Sequence, residues 1–211
     1  MSGKSLDMST ENSISTEEKI LMAASKVFTQ KGYAGTKTRD IAEEAGINLA
    51  LLNYYFRSKE KLFQKVMLLK FRELFSEILP ILTDEKTSLD DKIDKASDVY
   101  FKILSNNPTL PLFVISEIQK NSAGIHDGFP MEKVLKDSAI IRQISVQKPG
   151  SNPFHYLFNF LGMTVFPFVA KPLFMSFELM DEPAFRKFVE ERRKLVPQWM
   201  KILLNSPTPT S

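Results

Sequence analysis

The sequence has 211 residues, of which 43% are hydrophobic and 25% charged, a composition typical of a soluble globular protein. Its formal net charge is only +3, so any surface for nucleic acid must be local and cannot come from the charge of the whole chain. The absence of cysteine excludes disulfides, thiolate catalysis and cysteine-ligated zinc, and it is compatible with a cytoplasmic location.

The chain is predicted to begin with a disordered arm followed by a capped helix. Residues 1–14 are polar, rich in serine and threonine, and lack the apolar segment of a secretory signal. Ser15 and Glu18 have the spacing of a capping box, which predicts the start of a helix, and Gly32 is expected to end it. The predicted inward face of this helix consists of Ile20, Ala24, Val27 and Phe28.

Two short helices joined by a glycine turn are predicted next. The hydroxyls of Thr36 and Thr38 can cap the first helix, and Gly46 is expected to end it in the left-handed conformation. Asn48 is a good N-cap for the second helix. This pattern fits a DNA-reading helix-turn-helix, although an ordinary αα-corner has the same pattern. The predicted inward residues are Ile41, Ala42 and Ala45, followed by Leu52, Tyr55 and Phe56.

The rest of the chain is also predicted to be helical, so the fold class is all-α. Ser58 is expected to cap a long fourth helix that ends near Pro80. A three-helix helix-turn-helix domain over residues 15–65 would then precede a larger helical domain over residues 66–205 and a frayed tail over residues 206–211. The further predicted helices are Leu89–Leu104, Pro111–Lys120, Met131–Val146, Pro153–Phe177 and Pro183–Leu204, with a loop at Asn121–Pro130.

The most apolar stretch, Phe154 to Phe177, is long enough to cross a membrane. It contains Pro167, Pro172 and Lys171, which favour a buried, kinked helix instead. We therefore expect no membrane partner.

The residues around the glycine turn are more specific than the turn itself. The segments T-x-T-R-D-I-A-E-E-A-G and G-I-N-x-x-x-L-N-Y-Y-F-x-S-K-E-x-L resemble the DNA-binding domain of the TetR family of transcriptional regulators, over about residues 16–65. Beyond residue 65 only the helical layout is similar. The resemblance implies a homodimer that binds double-stranded operator DNA, with a larger domain for dimerisation and for a small-molecule effector. Repression is the expected sense, because a dimer on an operator blocks polymerase.

The predicted DNA contacts lie on the second short helix and at the borders of the motif. Thr36 and Thr38 are placed at a helix N-terminus, which favours a phosphate, although plain capping explains them too. Arg39 opposes the dipole of its own helix, so it is expected to meet an anion or a guanine edge unless it is simply solvated. The resemblance implies that Lys59 clamps the DNA backbone. The full predicted set is Thr36, Lys37, Thr38, Arg39, Asn48, Leu49, Ala50, Leu51, Asn53, Tyr54, Tyr55 and Lys59.

The recognition helix itself carries no lysine or arginine. Leu49 and Ala50 can contact thymine methyl groups, and Asn48 or Asn53 can read adenine. Phosphate contacts are therefore expected to provide most of the affinity, with Arg57 as a further candidate cation. Tyr54 is expected to face a phosphate, whereas Tyr55 is expected to be partly or entirely core. Asn53 occupies a position at which the family usually has tyrosine.

Two apolar stripes near the C-terminus predict dimerisation through a four-helix bundle, although they can equally close the core of one chain. The first stripe is Phe154, Leu157, Phe158, Leu161 and Val165, and the second is Phe185, Phe188, Val189, Leu195, Val196 and Trp199. The phenylalanines and methionines after residue 65 predict a pocket for a small apolar or amphipathic effector, with ordinary core as the alternative. The residues assigned to this pocket are Tyr100, Phe113, His155, Asn159, Met163 and Phe166.

The sequence is not expected to be an enzyme or to bind a cofactor or metal. His126 and Asp127 are more typical of a turn than of a catalytic pair. The sequence contains no P-loop and no G-x-S-x-G, G-x-G-x-x-G or H-E-x-x-H motif. The alternative function is a helical scaffold that binds proteins and has no DNA role.

Overall fold

The computed structural model describes residues 14–120 and 138–207, and every regular element in these ranges is an α-helix. The all-α prediction is confirmed. The helices are α1 (Thr16–Gly35), α2 (Thr38–Glu44), α3 (Leu49–Tyr55), α4 (Lys59–Thr83), α5 (Leu89–Asn106), α6 (Leu110–Lys120), α7 (Ala139–Gln147), α8 (Phe154–Ser176) and α9 (Glu182–Asn205). The predicted loop at Asn121–Pro130, including His126 and Asp127, lies outside the described residues.

The chain divides into two units, Met1–Val66 and Met67–Ser211, and the division falls within α4. In the first, N-terminal unit, α1 packs on α2 and α2 packs on α3. In the second, C-terminal unit, α9 packs on α5, α7 and α8, while α8 also contacts α5 and α6.

The first helix begins and breaks where the sequence predicts. Ser15 Oγ accepts a hydrogen bond from the backbone N–H of Glu18 (3.2 Å), and the Glu18 carboxylate accepts one from the backbone N–H of Ser15 (2.9 Å). This is the capping box. Gly32 has φ +67°, which breaks the helical conformation before a last short turn ends at Gly35. The residues buried on the inner face are Ile20, Ala23, Ala24, Val27 and Phe28.

Two predicted helix boundaries are wrong. Helix α4 does not end near Pro80 but continues to Thr83. Helix α7 begins at Ala139, because Ser138 is extended (φ −71°, ψ 152°), so a single helix over Met131–Val146 is not formed. Residues 131–137 of that prediction lie outside the described part of the chain.

Helix α8 contains the most apolar stretch of the sequence. By length and composition it could cross a membrane, but the core helices of soluble proteins have the same properties. The helix is continuous through Pro167 and Pro172. Its inner face is buried, whereas Phe158 and Phe166 on another face are 70% and 63% exposed. The expectation of a buried helix therefore holds for one face only.

Helix α8 ends in a backbone conformation that suits glycine, yet the residue there is Glu178, with φ +54°. The N–H of Leu179 donates to Phe174 O (3.0 Å), and the N–H of Glu178 donates to Met175 O (3.1 Å). These two bonds form a Schellman motif, whose left-handed position usually carries glycine.

Glu178→Gly is expected to raise the free energy of unfolding by about 0.5 to 1 kcal/mol, because it relieves the left-handed strain at a smaller cost in chain entropy. Urea unfolding followed by circular dichroism measures the change. Glu178→Ala removes the same charge but keeps the strain, so it is the matched control. Equal stabilisation by both variants would contradict the backbone explanation.

Candidate nucleic-acid interface

The turn between α2 and α3 has the geometry that the sequence predicts. Gly46 has φ +66°, and its N–H donates to Glu43 O (3.0 Å). The N–H of Ile47 donates to Ala42 O at 3.0 Å, which closes the end of α2. Ile41 and Leu52 are fully buried, so the two short helices are held together by their apolar faces.

Helix α3 is capped by Asn48, as predicted. The side-chain oxygen Oδ1 of Asn48 accepts a hydrogen bond from the N–H of Leu51 at 2.8 Å. One lone pair of this oxygen is committed to the helix, and the side-chain Nδ2 of Asn48 keeps both of its N–H donors for a base edge.

Helix α2 is capped differently from the prediction. Its N-cap is Lys37, and the Asp40 carboxylate accepts a hydrogen bond from the backbone N–H of Lys37 (3.0 Å). This bond, assisted by Lys31 Nζ at 3.2 Å, lowers the pKa of Asp40. The prediction for Thr36 needs correction, because its side chain is 2% exposed and its hydroxyl donates to Gly32 O (2.7 Å). Thr38 is half-buried at the first position of α2.

The outer face of α3 is exposed and uncharged. Ala50 and Asn53 are exposed, and Tyr54 is 79% exposed. Tyr55 is also exposed and packs edge-on against Tyr54, with the ring centroids 5.5 Å apart. The alternative that Tyr55 is entirely core is wrong, because the residue is 41% exposed at the end of α3, whereas a partly core Tyr55 agrees with this exposure. Leu49 and Leu51 are half-buried.

Three exposed cations precede or follow α3 in the chain. Lys37 and Arg39 are at the start of α2, and Arg57 lies between α3 and α4. Arg39 and Arg57 form no ion pair with another described residue. These cations are therefore available to an external anion.

Lys59 does not present its charge in the same way. It is half-buried, and its Nζ donates to the backbone oxygens of Tyr33 (2.9 Å) and Thr36 (3.0 Å). The same Nζ lies 4.3 Å from the centroid of the Tyr33 ring. The sequence-based prediction did not include Tyr33 in the site. The only sequence signal for this residue is its position directly after the helix-breaking Gly32.

The C-terminal unit contains a separate cavity of about 700 Å³. Tyr100 and Phe166, which the sequence assigned to a pocket, lie in its wall. Phe113, His155, Asn159 and Met163 do not, and His155 and Asn159 are instead exposed, so the prediction is corrected for these four. The cavity is lined by Phe71, Leu74, Phe75, Tyr100, Leu104, Leu110, Pro111, Val114, Ile115, Ile118, Phe158, Leu161, Gly162, Val165, Phe166 and Val169.

Tyr100 supplies the one polar side chain among these lining residues. Its ring packs edge-on against Phe160 at 5.7 Å. Burial raises the pKa of Tyr100 to about 12, so its phenol stays neutral and can donate one hydrogen bond. Within the described residues, no group of three histidine, aspartate or glutamate side chains is placed to hold a metal ion.

The predicted dimer stripes divide into three groups. Phe185, Val189 and Val196 are buried within the C-terminal unit, so their assignment to a partner surface is wrong. Phe158, Leu161 and Val165 line the cavity. The third group is half-buried or exposed: Leu195 is exposed, and the half-buried residues are Phe154, Leu157, Phe188 and Trp199. Ile202, which the sequence-based prediction did not include, is 62% exposed.

The helix-turn-helix geometry agrees with comparisons to known proteins. Residues 20–66 match the family profile described as bacterial regulatory proteins, tetR family. The chain therefore carries a TetR-family helix-turn-helix domain over these residues. It is accordingly a regulator and not an enzyme, and the protein-binding scaffold has no support in these matches.

Relatives extend the similarity beyond the reading motif. The chain is 27% identical over 194 residues to the protein named probable HTH-type transcriptional regulator YttP of Bacillus subtilis, covering 86% of this chain and 92% of that protein. It is 32% identical over 90 residues to the transcriptional repressor NicS of Pseudomonas putida, covering 41% and 42%. A TetR-like transcriptional regulator from Rhodococcus sp. RHA1 has a similar fold, with a TM-score of 0.58 at 15% identity, covering 91% and 97%.

Proposed function

We propose that this TetR-family regulator is a cytoplasmic homodimeric repressor that binds double-stranded operator DNA through α2 and α3 and is released by a small apolar effector. The observation that carries the DNA-binding part is the uncharged, exposed face of α3, with the exposed cations Arg39 before it in α2 and Arg57 directly after it in the chain. A helix of this kind fits the major groove, while cations beside it meet the phosphates.

The division of labour on this surface follows from its chemistry. Ala50 and the amide of Asn53 are suited to thymine methyl groups and adenine edges. These contacts discriminate between sequences but add little long-range attraction. Lys37, Arg39 and Arg57 would supply the salt-dependent part of the affinity by displacing counterions.

Dimerisation is proposed through the outer faces of α8 and α9. Leu195 and Ile202 are exposed one above the other on α9, and the half-buried Phe188 and Trp199 lie along the same side. Exposed apolar residues at this spacing are typical of a helix that packs against a second chain. Repression is the proposed sense because NicS, which is similar to this chain over 90 residues, is named a repressor.

The effector is proposed to occupy the cavity of about 700 Å³ in the C-terminal unit. Its lining is apolar apart from the phenol of Tyr100, and no lysine, arginine, aspartate or glutamate contributes to it. Burying an unpaired charge there would be costly, so a neutral lipophilic molecule with one hydrogen-bond acceptor fits best. Its binding would favour one spacing of the two reading heads over another.

A mobility-shift assay against the region upstream of the gene tests the DNA-binding proposal. The affinity is expected to fall steeply with salt. Arg39→Ala should reduce the slope of log K against log salt by about 1.8 in a dimer, because each phosphate that the protein neutralises accounts for about 0.9 of that slope. Lys102→Ala, which changes an exposed lysine of the C-terminal unit, should leave the slope unchanged. Binding that is absent or insensitive to salt would rule out this function.

A further inference from the structure

Lys59 is the one cation of the predicted DNA-contacting set whose charged group is bound inside the N-terminal unit. Its Nζ donates to Tyr33 O (2.9 Å) and to Thr36 O (3.0 Å). An ammonium group has three N–H donors, and these two carbonyls occupy two of them. The ring of Tyr33, 4.3 Å away, adds a cation–π contact.

The two carbonyls belong to the C-terminal end of α1. Thr36 is the C-cap of that helix, so its carbonyl and that of Tyr33 have no partner in a following helical turn. Both carbonyls lie beyond the break of α1 at Gly32, so the ammonium group is stabilised by the two direct hydrogen bonds and not by the dipole of the whole helix. These bonds offset the unfavourable position of Lys59 at the N-terminus of α4.

This contact joins the two ends of the reading motif. Thr36 directly precedes Lys37, the N-cap of α2. Lys59 begins α4, three residues after Phe56, the C-cap of α3. Lys59 therefore links the peptide that enters α2 to the segment that leaves α3. One turn further along α4, Phe63 packs against the same Tyr33 ring, with a centroid separation of 4.8 Å.

We propose that Lys59 is a positioning residue for DNA binding: it fixes the entry of α2 relative to the exit of α3 and does not itself bind a phosphate. The inference rests on the proposed function, since it concerns how the reading helices are held. Arg57 lies two residues earlier in the same segment, is exposed, and forms no ion pair with another described residue. It is the matched cation that would make the phosphate contact.

The test uses the full-length chain and a DNA fragment that the wild-type protein retards in a mobility-shift assay. Lys59→Met removes the charge and both hydrogen bonds but keeps a long unbranched side chain. Its DNA affinity is expected to fall about tenfold at fixed salt, while the slope of log K against log salt keeps the wild-type value. Arg57→Ala is expected to reduce that slope by about 1.8 for a dimer.

Four results would overturn this role of Lys59. A fall of about 1.8 in the slope of Lys59→Met would identify a phosphate ligand. Unchanged affinity with a lower melting temperature would make Lys59 a stabilising residue only. Tyr33→Leu keeps the lysine charge and replaces Lys59→Met as the test variant if the latter does not fold. Weaker DNA binding at an unchanged salt slope is expected for Tyr33→Leu. Unchanged DNA affinity would overturn the proposal. Failure of the wild-type protein to bind any fragment would overturn the proposed function as well.

Discussion

Replacing Arg192 with methionine is expected to lower the free energy of unfolding by about 2 kcal/mol, because the guanidinium satisfies a carbonyl that has no N–H partner within its own helix. Its Nη2 and Nε donate to Met163 O at 2.9 and 3.3 Å. Met163 O lacks its helical partner because Pro167, four residues later in α8, has no N–H.

The surroundings of Arg192 add to this effect. The guanidinium carbon lies 5.4 Å from the centroid of the Phe188 ring and 5.3 Å from that of Trp199. Burial lowers the pKa of Arg192, which nevertheless remains charged at neutral pH. Methionine fills similar space between the rings but cannot donate a hydrogen bond. The expected loss of stability therefore comes mainly from the unpaired carbonyl.

A second substitution isolates that cause. Pro167→Ala restores an N–H that can donate to Met163 O within α8, so Arg192→Met should cost about 1 kcal/mol less in that background. Trp199 is the single tryptophan, and its fluorescence during urea unfolding reports on this site. All samples need one protein concentration because a dimer is proposed.

Arg186→Met is the matched control, since Arg186 is an exposed arginine on the same helix. Its effect is expected to stay within about 0.5 kcal/mol. If Arg192→Met costs the same with proline or alanine at residue 167, the missing N–H is not the reason for the hydrogen bonds from Arg192.

The features that were predictable from the sequence depend on residues close together in the chain. The capping box of Ser15, the left-handed Gly46 and the N-cap Asn48 each act over at most a few residues. Their side chains or conformations are largely determined by local backbone geometry. The order of these signals was enough to recognise the reading motif and its family.

The corrections concern contacts between distant residues. Lys59 and Tyr33 are 26 residues apart, and a lysine at a helix N-terminus gives no sign that a neighbouring helix end receives its charge. Thr36 has a hydroxyl of the kind that caps helices, but tertiary packing buries this residue. In each case a tertiary contact determines the role of the side chain. Such a contact leaves no signal in the neighbouring residues of a single sequence.

Helix α9 shows the same difficulty for surfaces. It is apolar on more than one side. The sequence pattern does not distinguish the side that packs on α5 and α8 from the side proposed to contact a partner chain. Val189 and Val196 proved to be core, whereas Ile202 is exposed. One long-range contact did leave a signal, because Pro167 inside α8 implies a carbonyl at Met163 that needs an outside donor.

Filling the cavity of the C-terminal unit is expected to weaken the binding of a neutral lipophilic probe about tenfold. Gly162 lies in the cavity wall, and a Cβ added there would have no heavy atom within 4 Å. Gly162→Leu is therefore expected to extend into ligand space. It also removes a glycine from the interior of α8, which favours the helix by up to about 1 kcal/mol. Weaker binding in this variant would not be explained by unfolding.

The probe pair N-phenyl-1-naphthylamine and 1-anilinonaphthalene-8-sulfonate separates charge from shape, because the two share a ring framework and only the second carries a sulfonate. The neutral probe is expected to bind about tenfold more tightly by fluorescence titration, since no cation lines the cavity to pair with the anion. Gly162→Ala adds one methyl group and should bind the neutral probe almost as well as the wild-type chain. Tighter binding of the sulfonate, or equal binding by Gly162→Leu and Gly162→Ala, would place the probe outside this cavity and leave the neutral-effector proposal without its site.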